Sequence, residues 1–185
     1  MKISNIVVPV EPLSLTDTIN QALERMRSKN VDIVPVADQQ GGLVGAVTRN
    51  DLLSALRSAI PMTATIADRL SLDSARLKLD EEVVGVPGSA IPAIVLQDNG
   101  ELAGVVTLEG YAAALQACIT EFREQVSSIM NSATSGIIAI DEDGTIVVAN
   151  RMAEDLLGIR AVESLGRNIL DIIPNTRLMD IMKSG

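Results

Sequence analysis

The stretch GGLVGAVT at residues 41–48 returns as GELAGVVT at residues 100–107, an offset of 59 residues. The two copies share the pattern G-x-L-x-G-x-V-T. An apolar run precedes each copy, and a short polar turn containing Asp or Gln and Gly separates the run from the motif. Two strands joined by such a turn form a β-hairpin. The sequence therefore predicts two equivalent hairpins related by a pseudo-twofold axis.

The elements around the first hairpin complete one repeat. Apolar residues recur at helical spacing upstream of it, namely Ile19, Ala22, Leu23 and Met26. Thr16 or Asp17 is the expected N-cap of this helix, and the Lys29-Asn30 pair its expected end. A strand at residues 6–10 and a helix at residues 50–58 give the order strand-helix-strand-strand-helix.

The first half of the second repeat matches the pattern of the first repeat less well than its second half does. Shifting the first helix by 59 residues places Lys78 and Glu82 on what should be its apolar face. Glycine and proline also crowd the region, at Gly85, Pro87, Gly88 and Pro92. Because both residue types disfavour helix interiors, we expect this helix to be short, displaced or absent.

The element order and the repeat length resemble the CBS domain, which usually occurs as a tandem pair forming a flat pseudo-symmetric disk. Val34-Pro35-Val36 and G-x-V-T-R-N-D at residues 45–51 carry the resemblance in the first repeat. It implies an α/β fold with one repeat at residues 1–60 and a second, degenerate in its first half, at residues 61–115.

The resemblance also implies a ligand site. In nucleotide-binding CBS domains, T-x-x-D at the junction of hairpin and helix holds an adenosine-type ligand such as AMP, ADP or ATP. Here Thr48 would anchor the ligand at a helix N-terminus, Asp51 would accept from the ribose hydroxyls, and Arg49 would pair with phosphate. The residues expected to line the adenine pocket are Pro9, Val10, Ile33 and Pro35.

Each of these residues also has a purely structural interpretation. Thr48 or Asn50 can cap the following helix, Asp51 favours its positive end, and the aliphatic residues can belong to the core. In the second repeat Thr107 is kept, but Gly110 stands where Asp51 stands in the first. We therefore expect one competent site and one degenerate site.

A helix is predicted over residues 111–132. Its apolar residues step by four and three, the spacing of a heptad seam: Leu115, Ile119, Phe122, Val126 and Ile129. Two interpretations remain open, a coiled coil or an amphipathic helix lying on the repeat pair. The exposed seam favours a homodimer with this helix at or near the interface.

Residues 133–185 carry a third pattern. GIIAI at residues 136–140, the turn DEDG and TIVVAN at residues 145–150 predict a hairpin, after which Asn150 caps a helix that Gly158 ends. These motifs, with A-N-R-x-A, L-L-G and L-G-R-N, resemble the N-terminal part of a PAS domain. The tail at residues 173–185 resembles PAS domains at the front of sigma-54-dependent transcription activators.

Composition narrows the function further. The chain has a net charge of −9 and contains no histidine, which excludes histidine-based catalytic triads, histidine metal ligands and a phospho-accepting histidine. One cysteine, Cys118, provides neither a disulfide nor a thiolate metal site. We therefore expect a protein that is not an enzyme. Without an apolar run of membrane-spanning length or a clustered basic face, we also expect it in the cytoplasm, with no membrane or direct nucleic-acid contact.

Together these features predict a ligand-responsive sensory module that controls an attached transcription activator. Two alternatives remain open. The chain could be the input region of a signalling enzyme, such as a sensor kinase or a cyclic-dinucleotide synthase. It could also be a dimerisation scaffold that binds no ligand.

Overall fold

The computed structural model describes residues 1–158 and 160–176. The chain divides into two compact units, Met1–Ile119 and Thr120–Gly185. The first unit holds two three-stranded sheets. One contains β1 (Leu13–Ser14), β2 (Ile33–Ala37) and β3 (Leu43–Thr48), and the other β4 (Arg76–Lys78), β5 (Ala93–Leu96) and β6 (Leu102–Val106). The helices of this unit are α1 (Ile19–Lys29), α2 (Arg49–Arg57) and the first part of α3 (Leu108–Ser132).

The two sheets have the same construction. In each, the first strand is parallel to the second and the second pairs with the third as an antiparallel hairpin. Val36 lies opposite Gly45 in the first hairpin, and Val95 lies opposite Gly104 in the second. The offset of 59 residues is therefore kept in the strand register, and the mixed α/β fold expected from the repeat is present.

The predicted strand at residues 6–10 is wrong. Within it only Val8 pairs, and it pairs with Val105 of β6 in the other repeat, through N–O distances of 2.8 and 3.0 Å. Pro9 has no amide hydrogen, which prevents a longer ladder. Ser71, at the entrance to the second repeat, pairs in the same way with Ala46 of β3. The segment entering each repeat is thus bonded to the hairpin of the other.

The N-cap of helix α1 lies one or two residues after the expected positions, Thr16 and Asp17. Its N-cap is Thr18, whose side chain accepts from the amide of Gln21 while the Gln21 side chain accepts from the amide of Thr18. Asp17 is engaged elsewhere, because its carboxylate accepts from the amide of Ser14 at 2.8 Å. The predicted end is confirmed, since Asn30 adopts the left-handed conformation with φ 51°.

The second repeat has no counterpart of α1. Two short 3-10 turns, Val83–Gly85 and Gly88–Ala90, occupy that part of the chain, as the glycines and prolines predicted. The N-terminus covers the exposed side of the core: Ile3 is fully buried, and its amide donates to the carbonyl of Glu81 at 2.8 Å. The hydroxyl of buried Tyr111 donates to the carbonyl of Val86 and ties one turn to α3.

The second unit contains a hairpin of β7 (Ile138–Ile140) and β8 (Ile146–Ala149), followed by α4 (Arg151–Leu157), α5 (Ala161–Ser164) and α6 (Ile169–Ile172). Asn150 caps α4 as predicted, and Gly158 ends it with φ 64°. Residues 177–185, most of the tail that resembles the sigma-54-dependent activators, lie outside the described residues.

Helix α3 starts at Leu108, three residues before the predicted start, and continues without interruption to Ser132. Leu115 is partly buried against the core of the second repeat. The seam residues beyond it stay exposed. Across the described part of the chain, no helix is both long and apolar enough to cross a membrane.

Candidate functional site

A cavity of about 550 Å³ lies between the two repeats of the first unit. Ile33 and Thr48, at adjoining ends of β2 and β3, form one wall. The other walls come from the segment that leads into β4 and from the loop before β5. Their lining residues are Leu70, Ser71, Leu72, Asp73, Ser74, Ala75, Ser89, Ala90, Ile91 and Pro92. This volume is in the range of small-molecule sites.

The carboxylate of Asp51 holds two of these lining residues in place. Its Oδ2 atom accepts from the Thr48 amide at 2.7 Å, the Thr48 hydroxyl at 2.6 Å and the Ser71 hydroxyl at 3.1 Å. The Thr48 hydroxyl in turn accepts from the amide of Asp51 at 3.2 Å, which completes a capping box on α2. Asp51 therefore joins the cap of α2 to the segment that enters the second repeat.

These bonds determine which hydrogen bonds the Thr48, Ser71 and Ser74 hydroxyls can offer to a ligand. The Thr48 and Ser71 hydroxyls donate to Asp51, and the Ser74 hydroxyl donates to the carbonyl of Ser71 at 3.0 Å. What remains on each oxygen is acceptor capacity. Asp73 adds an exposed carboxylate, and none of the described lining residues is cationic. Through these side chains the cavity can accept hydrogen bonds from a ligand that also carries apolar surface.

The residues predicted for the ligand site do not all converge on this cavity. Ile33 and Thr48 line it, whereas Asp51 lines a separate pocket of about 180 Å³ with Ser54, Asp68, Arg69 and Leu70. Arg49 does not line the cavity; its guanidinium forms an ion pair with the carboxylate of Asp32 at 2.8 Å.

The remaining predicted residues lie in structural positions. Pro9 is exposed, while Val10 and Pro35 are buried, Val10 within the core of the first repeat. Thr107 is 7% exposed, and its hydroxyl accepts from the amide of Gly110 at 3.0 Å. The Thr107 hydroxyl thus bonds to a backbone amide, whereas the Thr48 hydroxyl in the first repeat also bonds to the carboxylate of Asp51.

The N-terminal segment lies against the second hairpin at the position equivalent to Gly45. A Cβ atom on Gly104 would lie 2.3 Å from the carbonyl oxygen of Val8, so Val8 crosses β6 in direct contact with the glycine. At the equivalent Gly45 the nearest atom is the carbonyl oxygen of Ser71, at 3.3 Å. The entering segment therefore approaches the glycine more closely in the second hairpin than in the first.

Sequence reasoning missed the polar wall formed by Ser71, Asp73, Ser74 and Ser89. The signal available was the short polar run SLDS at residues 71–74, between the two repeats. A run of this kind has no periodicity and is typical of a linker. Only the pairing of Ser71 with Ala46 brings it to the cavity.

Sequence reasoning also assigned Asn150 a smaller role than it has. Its side chain is 1% exposed and makes four hydrogen bonds within the second unit. Oδ1 accepts from the amides of Ile137 at 2.7 Å and Ala153 at 3.0 Å, and Nδ2 donates to the carbonyls of Met130 at 2.8 Å and Ser135 at 3.0 Å. Asn150 thus fastens the end of α3 to the hairpin as well as capping α4.

Comparison with known families matches both parts of the chain. Residues 3–58 match the family described as the CBS domain, and residues 124–183 match the family described as the PAS fold. Each match covers less than half of the chain. The nitrogen regulation protein NtrY of Azorhizobium caulinodans is 33% identical over 54 residues, which are 29% of this chain and 7% of NtrY.

Solved structures with CBS domains resemble the fold. The CBS-domain protein ATU1752 of Agrobacterium tumefaciens has a TM-score of 0.53 at 17% identity, covering 61% of this chain and 92% of its own. The CBS-domain protein TA0289 of Thermoplasma acidophilum has a TM-score of 0.53 at 19% identity, covering 66% of this chain and 76% of its own. At such identities the likeness shows the fold alone.

Proposed function

We propose that this chain is a sensory and regulatory module in which a nucleoside-type ligand binds between the two CBS-type repeats. The observation that carries the proposal is the cavity of about 550 Å³ lined by Thr48, Ser71 and Asp73. Residues 1–60 and 61–115 would form the sensing pair, residues 111–132 the connecting helix, and residues 133–185 the N-terminal part of a PAS domain.

The lining favours an adenosine or AMP-type ligand over a polyphosphate. Ile33, Ile91 and Pro92 offer apolar walls to a flat base. Ribose hydroxyls and the exocyclic amine of adenine donate hydrogen bonds, which matches the acceptors of the cavity. A triphosphate would bring several negative charges near Asp73, and the nearby Arg49 is already paired with Asp32.

Helix α3 is suited to carry a response from the repeats towards the rest of the chain. Its first turns belong to the core of the second repeat through buried Tyr111 and Ala114. Its last turn is fastened within the second unit by the bond from Asn150 to Met130. A ligand would change the output only through its differential affinity for two arrangements of the repeats.

The output is proposed from resemblance. A transcription activator is the first candidate, and a signalling enzyme such as a sensor kinase or cyclic-dinucleotide synthase the second. The similarity of a short segment to a nitrogen regulation protein supports a regulatory role without choosing between them. The intracellular location expected for either output is part of the same proposal.

Isothermal titration of the chain with adenosine, AMP, ADP and ATP tests the ligand. We expect adenosine or AMP to bind more tightly than ATP. Asp73→Asn should weaken adenosine binding about 10- to 100-fold, since hydrogen bonds to charged groups contribute about 1.5–3 kcal/mol and each 1.4 kcal/mol is one decade. Asp80→Asn, an exposed carboxylate outside the cavity, is the matched control and should leave affinity unchanged.

Asp51→Ala separates a direct role from a positioning role. As a positioning residue for Thr48 and Ser71, Asp51 should affect all adenine ligands by the same factor. If it instead accepts directly from the ribose, removing the ribose hydroxyls from the ligand should abolish the effect of the substitution. If the unsubstituted chain binds none of the four ligands, the adenine proposal fails.

A dimerisation scaffold without a ligand is the second candidate function. Two observations favour it: Val8 lies directly against Gly104, and α3 carries an exposed apolar stripe of Ile119, Phe122, Val126 and Ile129. A thermal-shift screen in which no adenine compound raises the melting temperature, together with a stable dimer, would place this candidate first.

A further inference from the structure

An ion pair lies beside the cavity wall that β2 and β3 form. Ile33 and Thr48 line the cavity and are register partners across the hairpin. One residue further along, the amide of Arg49 donates to the carbonyl of Asp32 at 2.8 Å. The Arg49 guanidinium pairs with the Asp32 carboxylate, also at 2.8 Å. Two bonds therefore hold Arg49 to Asp32 at the position next to the cavity wall.

The ion pair determines the charge that this edge of the cavity presents to a ligand. Among the described lining residues Asp73 carries the only charge, and it is negative. Arg49 follows the lining residue Thr48 directly, so a free guanidinium there would bring a positive charge to the cavity. Paired with Asp32, Arg49 offers little net charge, and the Asp32 carboxylate itself repels an anion.

Two other arginines are sequence neighbours of lining residues. Arg69 lines the separate pocket of about 180 Å³ that contains Asp51. Arg76 is exposed at the start of β4. Neither arginine is among the lining residues of the cavity. A test of Arg49 therefore has to separate its contribution from that of Arg76.

The ion pair is partly open to water. The side chains of Arg49 and Asp32 are 59% and 34% exposed. Ion pairs as exposed as this contribute little to stability, so the loss of the Asp32 carboxylate should leave the fold intact. The backbone bond between the two residues does not involve either side chain and would remain. The ion pair therefore governs charge more than stability.

We infer that Asp32 is a specificity-determining residue that makes the cavity prefer a nucleoside without phosphate over its phosphorylated form. It does so by occupying the guanidinium of Arg49 and by adding negative charge to the side of the cavity opposite a ligand phosphate's only nearby paired cation. The inference rests on the proposed nucleoside site and narrows its ligand to adenosine in preference to AMP.

Isothermal titration of the 185-residue chain with adenosine and AMP tests the assignment. The unsubstituted chain should bind adenosine more tightly than AMP. Asp32→Asn should raise the affinity for AMP about 10-fold and leave that for adenosine within about twofold, because phosphate gains charge-assisted bonds to Arg49. Asp98→Asn removes the same charge from an exposed turn outside the cavity and should change neither affinity.

A double substitution separates Arg49 from the other cations. Arg49→Gln alone should leave the affinity for adenosine unchanged. In the chain that carries both Asp32→Asn and Arg49→Gln, the gain for AMP should disappear. A gain that persists would mean that Arg76 or another cation binds the phosphate, which would overturn the inference. The same holds if Asp32→Asn leaves the ratio of the two affinities unchanged.

Inorganic phosphate provides a test that needs no nucleoside. In NMR spectra of the isotope-labelled chain, millimolar phosphate should shift the Nε–H signal of Arg49 in Asp32→Asn and shift it much less in the unsubstituted chain. Equal shifts in the two chains would overturn the inference even if adenosine binds. Unequal shifts in a chain that binds no adenosine would reject the proposed nucleoside site and still support the control of Arg49 by Asp32.

Discussion

The two repeats of the first unit share a hairpin and differ in what covers it. In the first repeat the capped helix α1 buries Ile19, Ala22 and Met26 against the sheet. In the second, two 3-10 turns and the N-terminal Ile3 cover the hairpin instead. The comparison shows that the hairpin motif can be kept while a distant segment of chain replaces a missing helix.

The junctions between hairpin and helix also differ between the two repeats. Thr48 meets the side chain of Asp51, whereas Thr107 meets only the amide of Gly110. The first junction thereby gains a bond to Ser71 and lies beside an open cavity. At the second, Val8 lies against Gly104. The repeat that lacks the helix also lacks the acidic residue of the T-x-x-D motif.

The largest expected effect is at the N-terminus. Ile3→Ala removes a fully buried side chain and should lower the free energy of unfolding by about 3–4 kcal/mol, as large-to-small core substitutions do. Ile19→Ala, its counterpart in the first repeat, should cost a similar amount. Urea unfolding followed by fluorescence of the sole tyrosine, Tyr111, measures the core that contains Ile3.

The control for this prediction is Ser4→Ala, an exposed neighbour that should change the unfolding free energy by less than about 0.5 kcal/mol. A cost below about 1 kcal/mol for Ile3→Ala would contradict the role of the N-terminus as a core segment of the second repeat.

The next largest effect on stability is expected where the segment entering one repeat crosses the hairpin of the other, at Gly104 and Gly45. Gly104→Ala forces a Cβ atom to 2.3 Å from the carbonyl oxygen of Val8, on a backbone with φ 150°, and should cost about 2–3 kcal/mol by overpacking. Gly45→Ala meets its nearest atom at 3.3 Å and should cost less than about 1 kcal/mol. Thermal unfolding of both variants checks the difference. Equal costs would mean that the two crossings are equally tight.

The smallest effects are expected at the junctions, with opposite signs. Asp51→Ala removes one half of a capping box and the bond to Ser71 and should destabilise by about 1 kcal/mol. Gly110→Ala places a better helix former in the first turn of α3 and should stabilise by up to about 0.5 kcal/mol. Chemical unfolding of both variants provides the test. A loss of stability in Gly110→Ala would show that its Cβ atom, 3.2 Å from the Thr107 hydroxyl, is not accommodated.

Elements set by neighbouring residues were predicted well. The hairpins follow from apolar runs around Asp- and Gly-containing turns, the end of α1 from Asn30, and the cap and end of α4 from Asn150 and Gly158. Such signals lie within a few residues of what they determine. The N-cap of α1 was placed one or two residues early because Thr16, Asp17 and Thr18 are all suitable caps. In the structure Asp17 accepts from the Ser14 amide, and Thr18 forms the capping box with Gln21.

Features that depend on distant residues were not predictable. Val8 makes a single bridge to Val105, and one bridge leaves no periodic pattern in the sequence. The same holds for Ser71 and Ala46, on which the polar wall of the cavity depends. The sequence indicated Thr48 and Ile33 as lining residues but placed them with Val10 and Pro35, which are buried in the first unit.

The repeat, the hairpins, the heptad spacing of α3 and the lack of histidine could be read from the order and composition of the residues, because each is a property of local order or composition. Three features became visible in the folded chain alone: the segment entering each repeat bonds to the other repeat, Asp51 holds Thr48 and Ser71, and the seam beyond Leu115 is left exposed. These depend on which surfaces meet when the chain packs, and residues far apart in the sequence then compete for the same hydrogen bonds and core space.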